Sequence, residues 1–263
     1  MESETRAIEI KDAWKSYDGG RSFAIRGISL AVKNGEFLAL IGTSGSGKTT
    51  LLKLINRLVE PTRGLIAVDG QDVAALDPVL LRRRIGYVFQ GVGLFPHLSV
   101  AENIAVTLRL LGWERPAIEA RVGEMLDLVR LPRDLALRLP ATLSGGQGQR
   151  VGVARALAAK PKIVLMDEPF GAVDPITRDA LARDYRALHD ALGLTTVMVT
   201  HDVLEAVLLA DRLAVIEAGE LVETGATRDL LSHPKADSVR ALMDMPRRQA
   251  DRVRALAAAS GSS

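Results

Sequence analysis

The stretch "GEFLALIGTSGSGKTTLLKLINRL", residues 35–58, decides the fold of this chain. Residues 35–42 form a short apolar run that ends on glycine, as a buried strand does. After the glycine-rich segment, Leu51, Leu54, Ile55 and Leu58 recur at helical spacing. The stretch therefore predicts a strand, a tight loop and a helix in direct succession.

The loop "GTSGSGKT", residues 42–49, fits the pattern G-x-x-x-x-G-K-[ST] between a strand and a helix. Glycines bring backbone N–H groups close to phosphate oxygens, and the helix end adds its positive dipole. Lys48 supplies a charge for the β- and γ-phosphates, and the Thr49 hydroxyl is a ligand for Mg²⁺. A chance glycine turn is the alternative, which the strand and helix context disfavours. The predicted ATP contacts here are Gly42, Thr43, Ser44, Gly45, Ser46, Gly47, Lys48, Thr49 and Thr50.

Two acids follow a second apolar run in "KIVLMDEP", residues 162–169. Asp167 falls at the carboxyl end of the predicted strand, where ligands bind in open α/β sheets. We expect Asp167 to hold Mg²⁺ and Glu168, one residue further, to polarise the attacking water. The alternative is that Glu168 merely begins a loop.

Three more polar residues follow predicted strands or begin a helix. Gln90 follows "IGYVF" and is a candidate for the metal and for the catalytic water, and His201 follows "VMVT" and is a candidate donor to the γ-phosphate. Asp174 is a candidate nucleotide contact, although Asp-Pro before "ITRDALARDYRALHDAL" is also an excellent helix N-cap. For each of these residues a purely structural role is the alternative.

Strands that alternate with helices predict an α/β fold with a mostly parallel sheet, with helices at Pro175–Leu192 and Val203–Ala210. The segments "AIEIKDAWKSY" and "IRGISLAVKNG" predict a small antiparallel sheet near the N-terminus. A helical subdomain is expected at about 97–158, within a domain of residues 6–245. Residues 246–263 are expected to form a basic helix broken by proline and a flexible tail.

The composition excludes several classes of protein. The 263 residues carry a formal charge of +2 and no cysteine, so neither a dedicated nucleic-acid binder nor a disulfide framework or thiolate metal site is expected. The N-terminal "MESETRAIEI" is unlike a secretion signal, and no apolar run reaches the roughly 20 residues that span a bilayer. We therefore expect a cytosolic chain that does not itself cross a membrane.

A second glycine-rich segment, "LSGGQ" at residues 143–147, precedes the helical stretch "QGQRVGVARALAA". A serine hydroxyl and glycine N–H groups at a helix start form another anion site. With this segment added to the earlier motifs, the chain resembles the nucleotide-binding subunit of an ATP-binding cassette (ABC) transporter over about residues 8–230. The resemblance implies a P-loop NTPase core of the RecA-like kind.

The resemblance also implies a head-to-tail dimer with a second copy of the chain. Each ATP would lie between one phosphate loop and the other copy's Ser144, Gly145, Gly146 and Gln147. Tyr17 would stack on adenine, with Trp14 as a competitor, and Gln90 would couple the site to the membrane partner. Gly148 departs from the family, where a longer polar residue commonly follows "LSGGQ", and this puts the turnover rate in doubt.

The stretches "INRLVEPTRG", "GLFPHLSVAENI" and "DEPFGAVDPITR" look most like the subfamily that imports osmoprotectants such as glycine betaine, choline and carnitine. That resemblance implies transmembrane permease subunits and a solute-binding protein as partners, at the cytoplasmic face of the membrane, and no nucleic acid. Import of polar amino acids and transport of lipids are the alternatives. Two alternatives belong to different functional classes. One is an ATPase that acts on DNA or ribosomes. The other is a nucleotide-gated switch without turnover, which Glu168 disfavours because such a switch could dispense with it.

Overall fold

A computed structural model describes residues 6–171 and 173–260, and of residues 253 and 256–260 the backbone alone. The strands of this described part are β1 Arg6–Lys15, β2 Ile25–Lys33, β3 Phe37–Ile41, β4 Arg63–Val68, β5 Gln71–Asp72, β6 Ile85–Val88, β7 Ile163–Asp167, β8 Thr195–Val199, β9 Arg212–Glu217 and β10 Glu220–Ala226. Its α-helices are α1 Lys48–Ile55, α2 Pro78–Arg84, α3 Val100–Leu110, α4 Arg115–Leu128, α5 Gly145–Leu157, α6 Pro175–Leu192, α7 Val203–Leu209, α8 Thr227–Ser232, α9 Asp237–Met243 and α10 Met245–Ser260.

The larger sheet has the strand order β10-β9-β3-β8-β7-β6. Strands β9, β3, β8, β7 and β6 are parallel, and β10 is antiparallel to β9. All five residues of β3, β7 and β8 are buried, as expected for central strands that are covered on both faces. The predicted α/β fold with a mostly parallel sheet is confirmed.

The smaller sheet is antiparallel, with the order β2-β1-β4-β5. Its apolar face shares one core with α1 and with one face of the larger sheet, where Ile10 and Ile28 belong to the same cluster as Leu51 and Leu40. Helix α1 therefore packs against both sheets. The sequence predicted β1 and β2 but missed β4 and β5, which join this sheet, and β10, which extends the larger one.

Helices α3, α4 and α5 form a helical part between β6 and β7. They pack through Ile104, Val122, Met125 and Val151. Asp184 links this part to helix α6, because its carboxylate accepts from two arginines. Arg130 Nη1 lies 2.7 Å from Oδ1, and Arg150 Nη2 lies 2.8 Å from Oδ2. These helices fall within the predicted limits of 97–158, and the division into domains stays a prediction.

Three details of the predicted helices are wrong. Helix α1 ends at Ile55, because Arg57 adopts a left-handed φ of +53°, so Leu58 lies outside the helix. Helix α10 is continuous, because Pro246 falls in its first turn, where its missing N–H breaks no hydrogen bond. Helix α7 ends at Leu209, one residue before the predicted Ala210.

Some expectations concern residues outside the described part. Residues 261–263 of the predicted tail and Ala172 within "FGAVD" lie there. Among the helices of the described ranges, none is both long enough and apolar enough to cross a membrane.

Candidate functional site

Residues 42–47 form the loop between β3 and α1, and two of its glycines are required by the close approach of other backbone segments. Gly42 has φ +147°, and a Cβ there would lie 2.0 Å from the Ile216 carbonyl oxygen. Gly47 has φ +103°, and a Cβ there would lie 2.3 Å from the Ala24 carbonyl oxygen. The sequence places glycine where the fold leaves no room for a side chain.

The Lys48 side chain lies at the centre of this loop and is buried. Its Nζ donates to the carbonyl oxygens of Gly42 at 2.9 Å and Thr43 at 2.7 Å, and the Ser46 hydroxyl lies 3.4 Å away. Burial lowers the pKa of Lys48, and the carboxylates of Glu168 and Asp167 oppose that change. The loop therefore surrounds a desolvated cation. Ser44 and Gly45 lie exposed on its rim.

The hydroxyl of Thr49 and the carboxylate of Asp167 are brought together, as predicted. Thr49 Oγ1 donates to Asp167 Oδ1 at 2.8 Å. Burial raises the pKa of Tyr87, and the nearby Asp167 carboxylate raises it further, so this phenol stays protonated. The Thr49 hydroxyl and the Asp167 carboxylate offer two oxygen ligands. This number fits Mg²⁺, which is commonly bound by one or two protein groups together with water and phosphate oxygens. The described ranges contain no group of three His, Cys, Asp or Glu residues that could hold a metal ion without such help.

Glu168 is the first residue after β7. The other two predicted catalytic side chains, those of Gln90 and His201, both lie next to its carboxylate. Gln90 Nε2 donates to Glu168 Oε2 at 3.0 Å, and His201 Nδ1 lies 3.2 Å from Glu168 Oε1. Gln90 and His201 each stand two residues past the end of a strand, β6 and β8, on either side of β7. The left-handed φ of +45° at Glu168 turns the chain at that point, and its N–H donates to Val199 O at 2.9 Å.

The aromatic candidates differ in what already covers them. Trp14 is engaged within the small sheet, with the Arg63 guanidinium 4.0 Å from its ring centroid and Phe23 packed edge-on. Tyr17 is 63% exposed, and its hydroxyl lies 3.5 Å from Thr50 Oγ1 near the start of α1. The structure therefore favours Tyr17 over Trp14 as the ring available to an adenine.

Ser144 is the N-cap of α5 and forms a capping box with Gln147. The Gln147 N–H donates to Ser144 Oγ at 3.2 Å, and the Ser144 N–H donates to Gln147 Oε1 at 3.0 Å. Between them, the N–H groups of Gly145 and Gly146 occupy the first turn, where a helix has no acceptor of its own. Within the described ranges these side chains bond to each other and not to residues 42–50. In the described part of the chain, the segment 143–147, called the signature below, thus makes no side-chain hydrogen bond from Ser144 or Gln147 to its own phosphate loop.

Asp174 caps α6, where its Oδ1 accepts from the Thr177 N–H at 3.0 Å. Hydrogen bonds from Thr177 lower the pKa of Asp174. Thr177 also faces the signature, because a Cβ at Gly146 would lie 2.5 Å from its Cγ2. The structure thus gives Asp174 the capping role and places it beside the signature, while its contact with nucleotide stays a prediction.

The profile of the family described as "ABC transporter" matches residues 25–171. The chain belongs to the ABC transporter family. It is 47% identical to the choline transport ATP-binding protein OpuBA of Bacillus subtilis over 232 residues, which is 88% of this chain and 61% of that protein. It is 50% identical to the glycine betaine uptake system ATP-binding protein YehX of Escherichia coli over 221 residues, 84% of this chain and 72% of that protein.

Solved structures of ABC cassettes have the same fold. The dimeric, post-hydrolysis structure of the ATP-binding cassette MJ0796 bound to ADP and Pi has a TM-score of 0.76 and 34% identity, and the match covers 84% of this chain and 99% of that one. The chain spans about three fifths of the length of the first curated relatives. The resemblance to ABC transporter subunits seen in the motifs is therefore confirmed.

Sequence reasoning missed one residue that holds the turn beside Tyr17, the predicted adenine contact. Asp18 organises the turn after Tyr17 by accepting from the Ser22 hydroxyl at 2.6 Å and the Ser16 hydroxyl at 2.8 Å. These hydrogen bonds, led by that from Ser22, lower the pKa of Asp18 to about 2. An aspartate flanked by serines before a glycine pair is a known turn signal and could have revealed it.

The glycines of the phosphate loop permit a stability test of this ABC transporter fold. Gly47→Ala is expected to lower the free energy of unfolding by about 2–4 kcal/mol, because a Cβ meets the Ala24 carbonyl and the left-handed φ is strained. The matched control is Gly45→Ala, which has φ +78° but no atom within 4 Å, so about 1 kcal/mol of strain is expected. Urea unfolding of both variants measures the difference. Equal losses would show that the contact with Ala24 is unimportant.

Proposed function

We propose that this chain is the ATP-hydrolysing subunit of a membrane transporter. The observation that carries the proposal is the position of Glu168, whose Oε2 accepts from Gln90 Nε2 and whose Oε1 lies 3.2 Å from His201 Nδ1, next to the Thr49–Asp167 pair. A carboxylate held in this way beside a phosphate loop is suited to accept a proton from an attacking water.

Each group has a defined task in the proposed reaction. The loop N–H groups and Lys48 bind the β- and γ-phosphates. Thr49, Asp167 and the Gln90 amide oxygen would hold Mg²⁺, which neutralises charge on the phosphates. Glu168 takes the proton of the water that attacks the γ-phosphorus, the bond from that phosphorus to the β–γ bridging oxygen breaks, and ADP and phosphate leave. His201, whose Nδ1 lies 3.2 Å from Glu168 Oε1, donates to a γ-phosphate oxygen through its other ring nitrogen.

The second half of each site comes from another copy of the chain. The N–H groups of Gly145 and Gly146 point out of the α5 N-terminus, where the helix dipole favours an anion. Because the capping box of Ser144 and Gln147 does not reach residues 42–50 of its own chain, we propose that this end binds the γ-phosphate of a nucleotide on the partner copy. The dimeric state of the cassette MJ0796 supports the arrangement.

The permease would bind in a groove of about 410 Å³ between β6, the helical part and residues 82–83. Phe89 and Phe95 line it and are 44% and 42% exposed, and Arg82, Arg83 and Arg155 add positive charge. Phe89 directly precedes Gln90, so a segment bound there lies next to the catalytic residues. An amphipathic cytosolic segment with apolar and acidic side chains fits this lining.

The proposed solutes are osmoprotectants of the quaternary amine class. The names of the relatives OpuBA and YehX, choline transport and glycine betaine uptake, support this choice. We propose import, with a solute-binding protein as a further partner and the chain peripheral at the cytoplasmic face of the membrane. Polar amino acids are the second candidate class.

Two measurements test the proposal. The purified chain should hydrolyse Mg-ATP with a rate that rises more steeply than its own concentration, because two copies complete each site. Cells that carry the chain together with its permease subunits should accumulate labelled glycine betaine at high osmolarity. Hydrolysis without uptake of glycine betaine, but with uptake of a polar amino acid such as glutamine, would keep the ATPase and reject the solute.

A further inference from the structure

The loop after Gln90 has a conformation that valine rarely adopts. Gly91, Val92 and Gly93 have φ values of +70°, +71° and +55°. The Gly93 N–H donates to Gly91 O at 2.8 Å, which makes a three-residue turn with Val92 at its centre. A positive φ is uncommon for residues with side chains and is an outlier for a β-branched one. Such strain persists where surrounding contacts hold it.

The contacts that hold this turn come from one face of α5. Residues 148, 152 and 155 are spaced by four and three, so they share that face. A Cβ at Gly148 would lie 3.2 Å from Val92 Cγ1, and a Cβ at Gly152 would lie 3.4 Å from the Val92 carbonyl oxygen. Arg155 Nη1 donates to Gly93 O at 2.8 Å. Gly148 and Gly152 thus form a notch that receives Val92.

The turn and the helix each carry a part of the proposed ATPase site. Gln90, two residues before Val92, donates to Glu168 at 3.0 Å. Gly148 lies one helical turn after Ser144, and its N–H donates to Ser144 O at 2.9 Å. A side chain seated in the notch therefore links the group that holds the catalytic carboxylate to the signature of the same chain.

We propose that Val92 is a positioning residue, which by filling the notch of Gly148 and Gly152 fixes Gln90 relative to the signature so that the two move together when nucleotide binds. The proposal rests on the proposed ATPase function and adds the pair of residues that transmits the movement. Glycine at position 148, where the family commonly has a longer polar residue, is then required by Val92.

A double-mutant cycle tests this pair. Gly148→Ala fills the notch and Val92→Ala empties it, so each is expected to lower kcat about five- to tenfold, the size of a typical coupling between touching residues. The affinity for Mg-ATP, measured with a fluorescent analogue, should change less than about twofold, because Lys48 and its loop are untouched. In the double variant an alanine methyl faces an alanine methyl, and kcat should exceed the product of the two single effects.

The matched control is Gly123→Ala in α4, where a Cβ would have no neighbour closer than 3.5 Å. It should keep kcat and gain slightly in stability. Two results overturn the inference in an active wild-type enzyme. The first is a kcat of the double variant equal to the product of the two single effects. The second is that both single variants keep the wild-type kcat and the two substitutions are non-additive only in the unfolding temperature. A wild-type chain without ATPase activity instead refutes the proposed function, and the inference with it.

Discussion

Glu168→Gln is expected to lower kcat for ATP hydrolysis by about 10²–10³-fold, which corresponds to roughly 3–4 kcal/mol of activation free energy. The amide is the same size as the carboxylate, and its one oxygen can take the place of Oε2 and accept from Gln90, while its NH2 group faces His201 Nδ1. What disappears is the base that accepts the proton of the attacking water. Steady-state phosphate release with Mg-ATP measures the change.

The same variant should accumulate as an ATP-bound dimer, because nucleotide binding is intact and the step that separates the copies is slowed. Size-exclusion chromatography with and without Mg-ATP detects this dimer. Asp179→Asn is a suitable control, since Asp179 is exposed on α6 and pairs only with Arg183 in the described part of the chain. A Glu168→Gln variant that retains wild-type kcat would remove Glu168 from the catalytic role.

Ser144→Asp is expected to reduce kcat by about 10²–10³-fold while ATP binding and the fold are retained. Aspartate is as good an N-cap as serine, so α5 should still begin at Gly145. The new carboxylate adds a negative charge where the partner's γ-phosphate would lie, and two charges about 4 Å apart near a protein surface repel by about 4 kcal/mol. Measurements of kcat and of equilibrium ATP binding on the same variant distinguish a loss of turnover from a loss of nucleotide binding.

Ser99→Asp is the matched control for this substitution. Ser99 caps α3 and forms a capping box with Glu102, as Ser144 does with Gln147 on α5. The same change at position 99 therefore reports the cost of the substitution to a capping box. Near-normal kcat is expected there, because Ser99 is not part of either anion site.

Mixing two inactive variants decides whether the site is shared between copies. Lys48→Ala removes the phosphate-binding cation, and Ser144→Asp blocks the signature. In a head-to-tail dimer of one copy of each, both defects fall on one site, and the other site has a normal Lys48 and a normal Ser144. Activity should return to as much as half of the wild-type rate per mixed dimer. If each chain hydrolysed ATP alone, mixing would restore nothing.

The parts of the site that the sequence predicted are those set by local rules. The phosphate loop was predictable because a strand, spaced glycines and a helix follow each other in the chain, and β3 and α1 confirm that succession. Glu168, Gln90 and His201 were predictable as neighbours because parallel strands place their carboxyl ends at one edge of a sheet. Only the structure shows that one oxygen of Glu168 accepts from Gln90 and that the other lies 3.2 Å from His201 Nδ1.

Features that depend on long-range packing were not predictable. Gly148 was noted as unusual, but the need for it arises from Val92, which lies 56 positions away in the chain and adopts a φ that no sequence pattern indicates. The short β5 and the antiparallel β10 were missed because each is defined by its partner strand more than by its own residues. The end of α1 was misplaced because Leu58 continues the apolar spacing although Arg57 has already left the helix.

The capping box of Ser144 and Gln147 has a consequence for reversibility. Each of these two side chains accepts a hydrogen bond from the backbone N–H of the other residue, so both keep a partner when a subunit leaves its neighbour. Water can then hydrate the N–H groups of Gly145 and Gly146. In the proposed cycle, detachment of the two copies would therefore leave a folded helix end, and the next encounter would need no local refolding.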